Sequence, residues 1–438
     1  MKLEVIKTYI LIILVGMSLL LTFNIWSYKP NSGLMYDKQG HYVNENDYYI
    51  EGKEQTKRDV VVPNEIIFHH LQKNYAFKDP KNSEKLYKNM HDWTLYDFKI
   101  RDLQNVPNEK YQIELRFPTA MPMGVINSLF HFNDNIDTGA IGSFKRMFIT
   151  FNPEKLVLRF HFLSLDGRKE ATAVVNDATK FEYLWETISN LKGMQELISV
   201  GPEKSAIYFP RNPVSMEQHT FSVNATNPKK LVNALFNDPS LVKRNMSNEK
   251  LAYYTDGTRQ MKISQDRRIM WFTNPSQTEI HRMTAYELLD KSIENINEHR
   301  GWTGKYYLDS LDTADNNISY LLHYDAYPVI SAIGLTTIEQ RWRNQELYQY
   351  SRPLFSINNS LLSEPVKLPS GEEIRNYVKK NYHIDNVTDL RIGYRLKFQK
   401  EDTAADILLL EPAWFIKYNG NWNKIDLMPH HDGIPEAT

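Results

Sequence analysis

The chain has 438 residues, with 52 Lys and Arg against 53 Asp and Glu, a formal charge of −1 and no cysteine. That balance excludes a nucleic-acid binder held by phosphate contacts, and the missing thiols exclude a disulfide framework, thiol catalysis and thiolate metal sites. A content of 42% hydrophobic and 12% aromatic residues excludes a disordered stalk and suits roughly two to four domains.

Thr8–Tyr28 is a run of 21 uncharged residues. It reads as a transmembrane helix, since a helix of that length spans about 30 Å, the thickness of a bilayer's hydrocarbon core. Lys2 and Lys7 precede it, opposed only by Glu4. Residues 1–7 are therefore expected in the cytoplasm and the bulk outside, in a single-pass protein of the cell membrane. Phe23, Ile25 and Trp26 stand where a cleavage site needs small residues, so the helix is expected to stay attached. Leu11, Val15, Ser18 and Thr22 share one face, with Ser18 and Thr22 in the small-xxx-small spacing that lets helices approach closely in lipid. Beyond the helix, 50 bases face 52 acids.

Residues 29–60 are polar and read as a tether and the start of a first domain. Residues 61–200 are expected to form a first α+β domain. Tyr111–Phe117 alternates apolar and polar residues as a half-buried strand does. Leu158, Phe160 and Phe162 repeat the pattern before an expected Asp166-Gly167 hairpin turn. Phe181, Leu184, Trp185, Ile188 and Leu191 follow at helical spacing. Gly201-Pro202 marks a break.

A central α+β domain is expected over 201–301. Asn227 caps a helix with Pro228 in its first turn, and Leu231, Ala234 and Leu235 share a face. Asp256-Gly257 turns a hairpin. Thr284 and Glu287 form a capping box ahead of Leu289, Ile293 and Ile296, with Gly301 as the stop after His299-Arg300. Residues 302–438 form the C-terminal α+β domain. There Ser370 and Glu373 cap a helix bearing Ile374, Tyr377 and Val378. Arg391–Phe398 is a strand, and Asn419-Gly420 turns a hairpin between residues 407–418 and 421–427. The fold class is α+β with mostly antiparallel sheets.

No catalytic signature accompanies these elements. HExxH, GxSxG, a P-loop and GxGxxG do not occur. Asn133, Asn135 and Asp137 lack the glycine and distal glutamate of a calcium loop and read as a polar turn. His69 and His70 are neighbours that point different ways, and His430, His431 and Asp432 sit in a tail suited to adventitious metal. No catalytic residue, cofactor or metal site is expected. The alternative reading, a membrane-anchored wall-processing enzyme, requires carboxylates or a histidine converging on a cleft.

The single basic-flanked helix with its LTFNIWSYKP segment at Leu21–Pro30 resembles the YycH family. So do FSVNATNPKKLVNALFNDPSLVKRN at Phe221–Asn245, DLRIGYRLKF at Asp389–Phe398 and LEPAWFIKYNGNW at Leu410–Trp422. The resemblance implies three outer domains and a non-enzymatic accessory regulator of the WalK (YycG) sensor histidine kinase of cell-wall metabolism in Gram-positive bacteria. It implies a heterodimer with YycI, contacts among transmembrane helices such as the Leu11, Val15, Ser18 and Thr22 face would make, and no nucleic acid.

Overall fold

The computed structural model describes residues 48–427 except 140, 203–204, 247–250, 265, 267, 276–280, 332 and 400–406, together with 14, 15, 18, 34–36 and 42–44. The chain divides into two compact units, Met1–Tyr48 and Tyr49–Thr438. In the first, Leu34–Tyr36 pairs antiparallel with Tyr42–Asn44. Leu14, Val15 and Ser18 are helical. The rest of the expected span lies outside the described residues, and among those described no helix is long and apolar enough to cross a membrane.

The second unit is α+β and mostly sheet. Its first sheet has ten strands. In spatial order they are Ile207–Pro210, Met194–Val200, Lys73–Phe77, Glu65–His70, Tyr111–Pro122, Ser143–Asn152, Val157–Ser164, Lys169–Val175, Thr94–Asp102 and His131–Phe132. All the pairings are antiparallel except the last, where Thr94 lies beside His131. Gly201 turns the chain at φ +93° between the two strands Met194–Val200 and Ile207–Pro210. The helix Ala178–Asn190 covers one face of this sheet. Asp177 caps it by accepting from the amides of Thr179 and Lys180, and Phe181, Leu184 and Ile188 are buried. Trp185 stacks on Phe181 and meets Tyr111 edge-on at 5.2 Å.

The second sheet has fourteen strands. One run of antiparallel strands extends from Lys243–Met246 to Asn317–Tyr324, and a second contains Ser215–Ala225, Phe355–Lys367, Val387–Gln399 and Ile407–Tyr418. The runs join through Tyr327–Ile330, where Val329 and Ile330 lie parallel to Tyr394 and Arg395. The three expected helices are present as Pro228–Leu235, Ala285–Glu298 and Gly371–Asn381, and the last two carry complete capping boxes. Asp256-Gly257 and Asn419-Gly420 turn hairpins as expected.

Two details depart from the sequence reading. Tyr111–Phe117 alternates, but its polar face is not solvated: Glu114 is 1% exposed because neighbouring strands bring arginines over it. The stop after Ala285–Glu298 is a Schellman turn in which Arg300, not Gly301, takes the left-handed conformation at φ +50°. The Gly301 amide donates to Ile296 (2.7 Å) and the Arg300 amide to Asn297 (2.9 Å). Glycine is needed at 301 for space. A Cβ there would lie 2.7 Å from Ile296 Cγ2, 2.8 Å from His299 Nε2 and 2.9 Å from Arg352 Nη1.

Arg352 is fully buried and bonds to the Tyr350 and Thr303 hydroxyls and the Pro353 carbonyl. It sits beside the helix's carbonyl end, which favours a cation. Burial, then the Arg352 charge, pushes the His299 pKa down to about 3. Gly301→Ala is expected to disturb this arrangement and cost about 1–3 kcal/mol, read as a lower urea midpoint at constant slope. An unchanged midpoint would show that Arg352 can yield.

A candidate functional site in the cleft between the sheets

The two sheets meet along a seam. Phe209 packs edge-on against Trp414 at 5.9 Å, Arg211 pairs with Glu372 at 2.9 Å, and the Tyr307 hydroxyl donates to Glu84 at 2.7 Å. Two cavities open on the seam, of about 200 Å³ and about 350 Å³, and Asn64, Glu65 and Pro118 line both. The smaller is walled largely by apolar side chains, and the larger carries charge.

Register builds the charged cavity. Glu65, Arg116 and Arg146 are cross-strand neighbours on three adjacent strands of the first sheet. Asp389 and Lys417 are cross-strand neighbours in the second. Lys145 precedes Arg146 and completes the wall.

Behind this wall, Glu114 is the hub of a buried network. It accepts from Arg116 Nε at 2.7 Å and Arg146 Nε at 2.6 Å, and His69 Nε2 reaches it at 3.0 Å. Burial opposes its charge, yet the His69 bond and the two guanidiniums outweigh that and hold its carboxyl well below the usual range. Arg116 Nη1 also donates to the Ala206 carbonyl at 2.5 Å. Glu65 shows the opposite balance. Loss of water raises its pKa, with Arg116 (3.8 Å) and Arg391 opposing. Arg391 is held by Asp389, through Nε at 3.0 Å and a second bond from Nη2.

The sequence-predicted residues fall elsewhere. Val15 and Ser18 are helical and exposed, whereas Leu11 and Thr22 lie outside the described residues, as do His430, His431 and Asp432. His69 and His70 sit on one strand, His69 toward Glu114 and His70 against Tyr75 and Tyr111. Asp137 closes a turn by accepting from the Gly139 amide at 2.9 Å. Among the described residues no group of His, Asp and Glu is placed to hold a metal.

Sequence reasoning missed one constellation. Thr150 Oγ1 lies 3.0 Å from His161 Nε2, and His161 Nδ1 lies 3.0 Å from Glu170. This is the order of a hydroxyl–imidazole–carboxylate relay. Burial lowers the His161 pKa, against the pull of Glu170. Arg101 pairs with Glu170 at 2.7 Å, and neither cleft cavity reaches the relay. The alternation KEATAVV alone does not place Glu170 beside His161, because the pairing is cross-strand.

Comparison with known proteins gives two family matches. Residues 4–193 match the YycH protein N-terminal domain, and residues 204–432 match the YycH protein C-terminal domain. The chain is 24% identical over 450 residues to the two-component system WalR/WalK regulatory protein YycH of Bacillus subtilis (strain 168), covering 96% of each chain. Its fold is that of the crystal structure of YycH from Bacillus subtilis, with a TM-score of 0.71 and 22% identity over 87% of this chain and 100% of the other.

Proposed function

The chain belongs to the YycH family, and from that premise we propose that it regulates a WalR/WalK-type two-component system without catalysing a reaction. The end-to-end match to the Bacillus subtilis regulator carries this reading, because 96% of each chain is shared rather than one portable module. The Thr150–His161–Glu170 relay lies outside both cleft cavities and its carboxylate is paired with Arg101, which supports a non-enzymatic role.

The finer reading concerns how regulation is delivered. Residues 1–7 stay in the cytoplasm, Thr8–Tyr28 spans the membrane, and the remainder works outside, as the lysine bias implies. The span biases the WalK helices by packing differently against two kinase states, through Leu11, Val15, Ser18 and Thr22. The outer part pairs with YycI.

A WalR-dependent reporter in a host lacking its own copy tests this. Supplying this chain is expected to shift reporter output, and Ser18→Leu with Thr22→Leu is expected to weaken that shift at equal protein level. Output indifferent to the intact chain would refute the regulatory role. Indifference to the double variant alone would remove this face. Capture of the chain from membranes without WalK or YycI would remove the partners.

A further inference from the structure

We propose that the charged cavity beside Glu65 binds a phosphate-type dianion. The inference stands independently of the regulatory reading. The cavity walls carry four bases, Arg116, Lys145, Arg146 and Lys417, against two acids, Glu65 and Asp389. Two of the bases are already committed, since Arg116 and Arg146 are bound to Glu114. Asp389 is held by Arg391. Among the described residues Lys145 and Lys417 have no carboxylate within ion-pair distance; both line the cavity, and Lys417 also lies over the Trp422 ring at 5.6 Å.

Crowding of cations is unfavourable without an anion between them. The Lys145 pKa is lowered, first by loss of water and then by Lys417. An excess of two positive charges matches a dianion better than a single carboxylate. Lysines bind phosphate as point charges, without the fork that an arginine needs. Ser205 and Thr388 add hydroxyls to the wall. At about 350 Å³ the cavity has room for a phosphate with a short substituent. The group could arrive as free phosphate or as a terminal phosphomonoester on a larger molecule.

Calorimetric titration of the full chain, kept in detergent, with inorganic phosphate, glycerol 3-phosphate and acetate distinguishes these. Saturable binding of phosphate or glycerol 3-phosphate is expected, weakened about tenfold by Lys145→Gln or Lys417→Gln and retained in Lys145→Arg. Glu65→Gln is expected to tighten binding, because it removes a like charge from the wall. That sign is opposite to anything a loss of structure produces. Binding of glycerol 3-phosphate alone assigns the site to a substituted phosphomonoester, and equal binding of both assigns it to the phosphate group itself. Three results overturn the proposal: no saturable binding of either phosphate ligand, native affinity in both Lys145→Gln and Lys417→Gln with unchanged melting temperature, or acetate binding as well as phosphate.

Discussion

Replacing Gly371 with alanine is expected to destabilise the chain by about 3 kcal/mol, at the upper end of overpacking effects, and replacement with valine to prevent accumulation of folded protein. Gly371 opens the helix Gly371–Asn381 directly after its Ser370 cap. A Cβ at 371 would lie 2.0 Å from the Pro210 carbonyl oxygen and 3.0 Å from Phe209 Cδ2. The first contact is with backbone, so no rotamer change relieves it. The helix must move away from the strand Ile207–Pro210, and both partners are fixed. Ile374 and Val378 anchor the helix in the core. Arg211 ties Glu372 to the first sheet. Pro210 is held in register opposite Leu197. Helix propensity alone argues for the reverse, since alanine is favoured over glycine by about 1 kcal/mol in a helix interior. The sign therefore separates the two effects. A Gly371→Ala protein with an unchanged or higher urea midpoint would show that the sheets are not locked together here.

Glu114→Gln is expected to remove about 3–5 kcal/mol at pH 7, because it leaves two guanidiniums facing a neutral amide in a buried site. Acid should act through the same residue. Its folded-state pKa is depressed relative to the unfolded chain, so the stabilisation it provides is fully present above an ordinary glutamate pKa of about 4.5 and is lost as pH falls below that value. Thermal melts across pH 3–7 should show a steeper acid decline for the native protein than for the glutamine variant. Parallel curves would mean that Arg116 and Arg146 are stabilised by other groups. Because Arg116 reaches Ala206 beyond the sheet's own neighbours, the same substitution should loosen the hairpin around Gly201. Amide hydrogen exchange at Ile207, Tyr208 and Phe209 would report that.

The local elements were legible because their causes are local. Asn227 with Pro228, Thr284 with Glu287, and Ser370 with Glu373 cap helices through bonds spanning two or three residues. Asn419-Gly420 turns its hairpin because both residues accept positive φ, +50° and +81°. Where a local rule competed with packing, packing prevailed. At the end of Ala285–Glu298, Arg300 accepts the left-handed backbone so that Gly301 can leave room for Arg352. Tyr111–Phe117 is more than half-buried for a related reason. Alternation says which residues share a face, and it does not say what covers that face.

By itself, then, the sequence determined the family, the α+β class, the capped helices and the hairpin turns. Those follow from the identity of residues within a few positions of one another. Only the tertiary structure decided that Glu65, Lys145, Asp389 and Lys417 wall one cavity. It also decided that Glu114 is buried among arginines and that Gly371 touches Pro210. These depend on cross-strand register and on how two sheets press together. Both are set by burial of one shared core that runs from Ile50 to Ile425, and no spacing along the chain encodes which distant strands that core brings side by side.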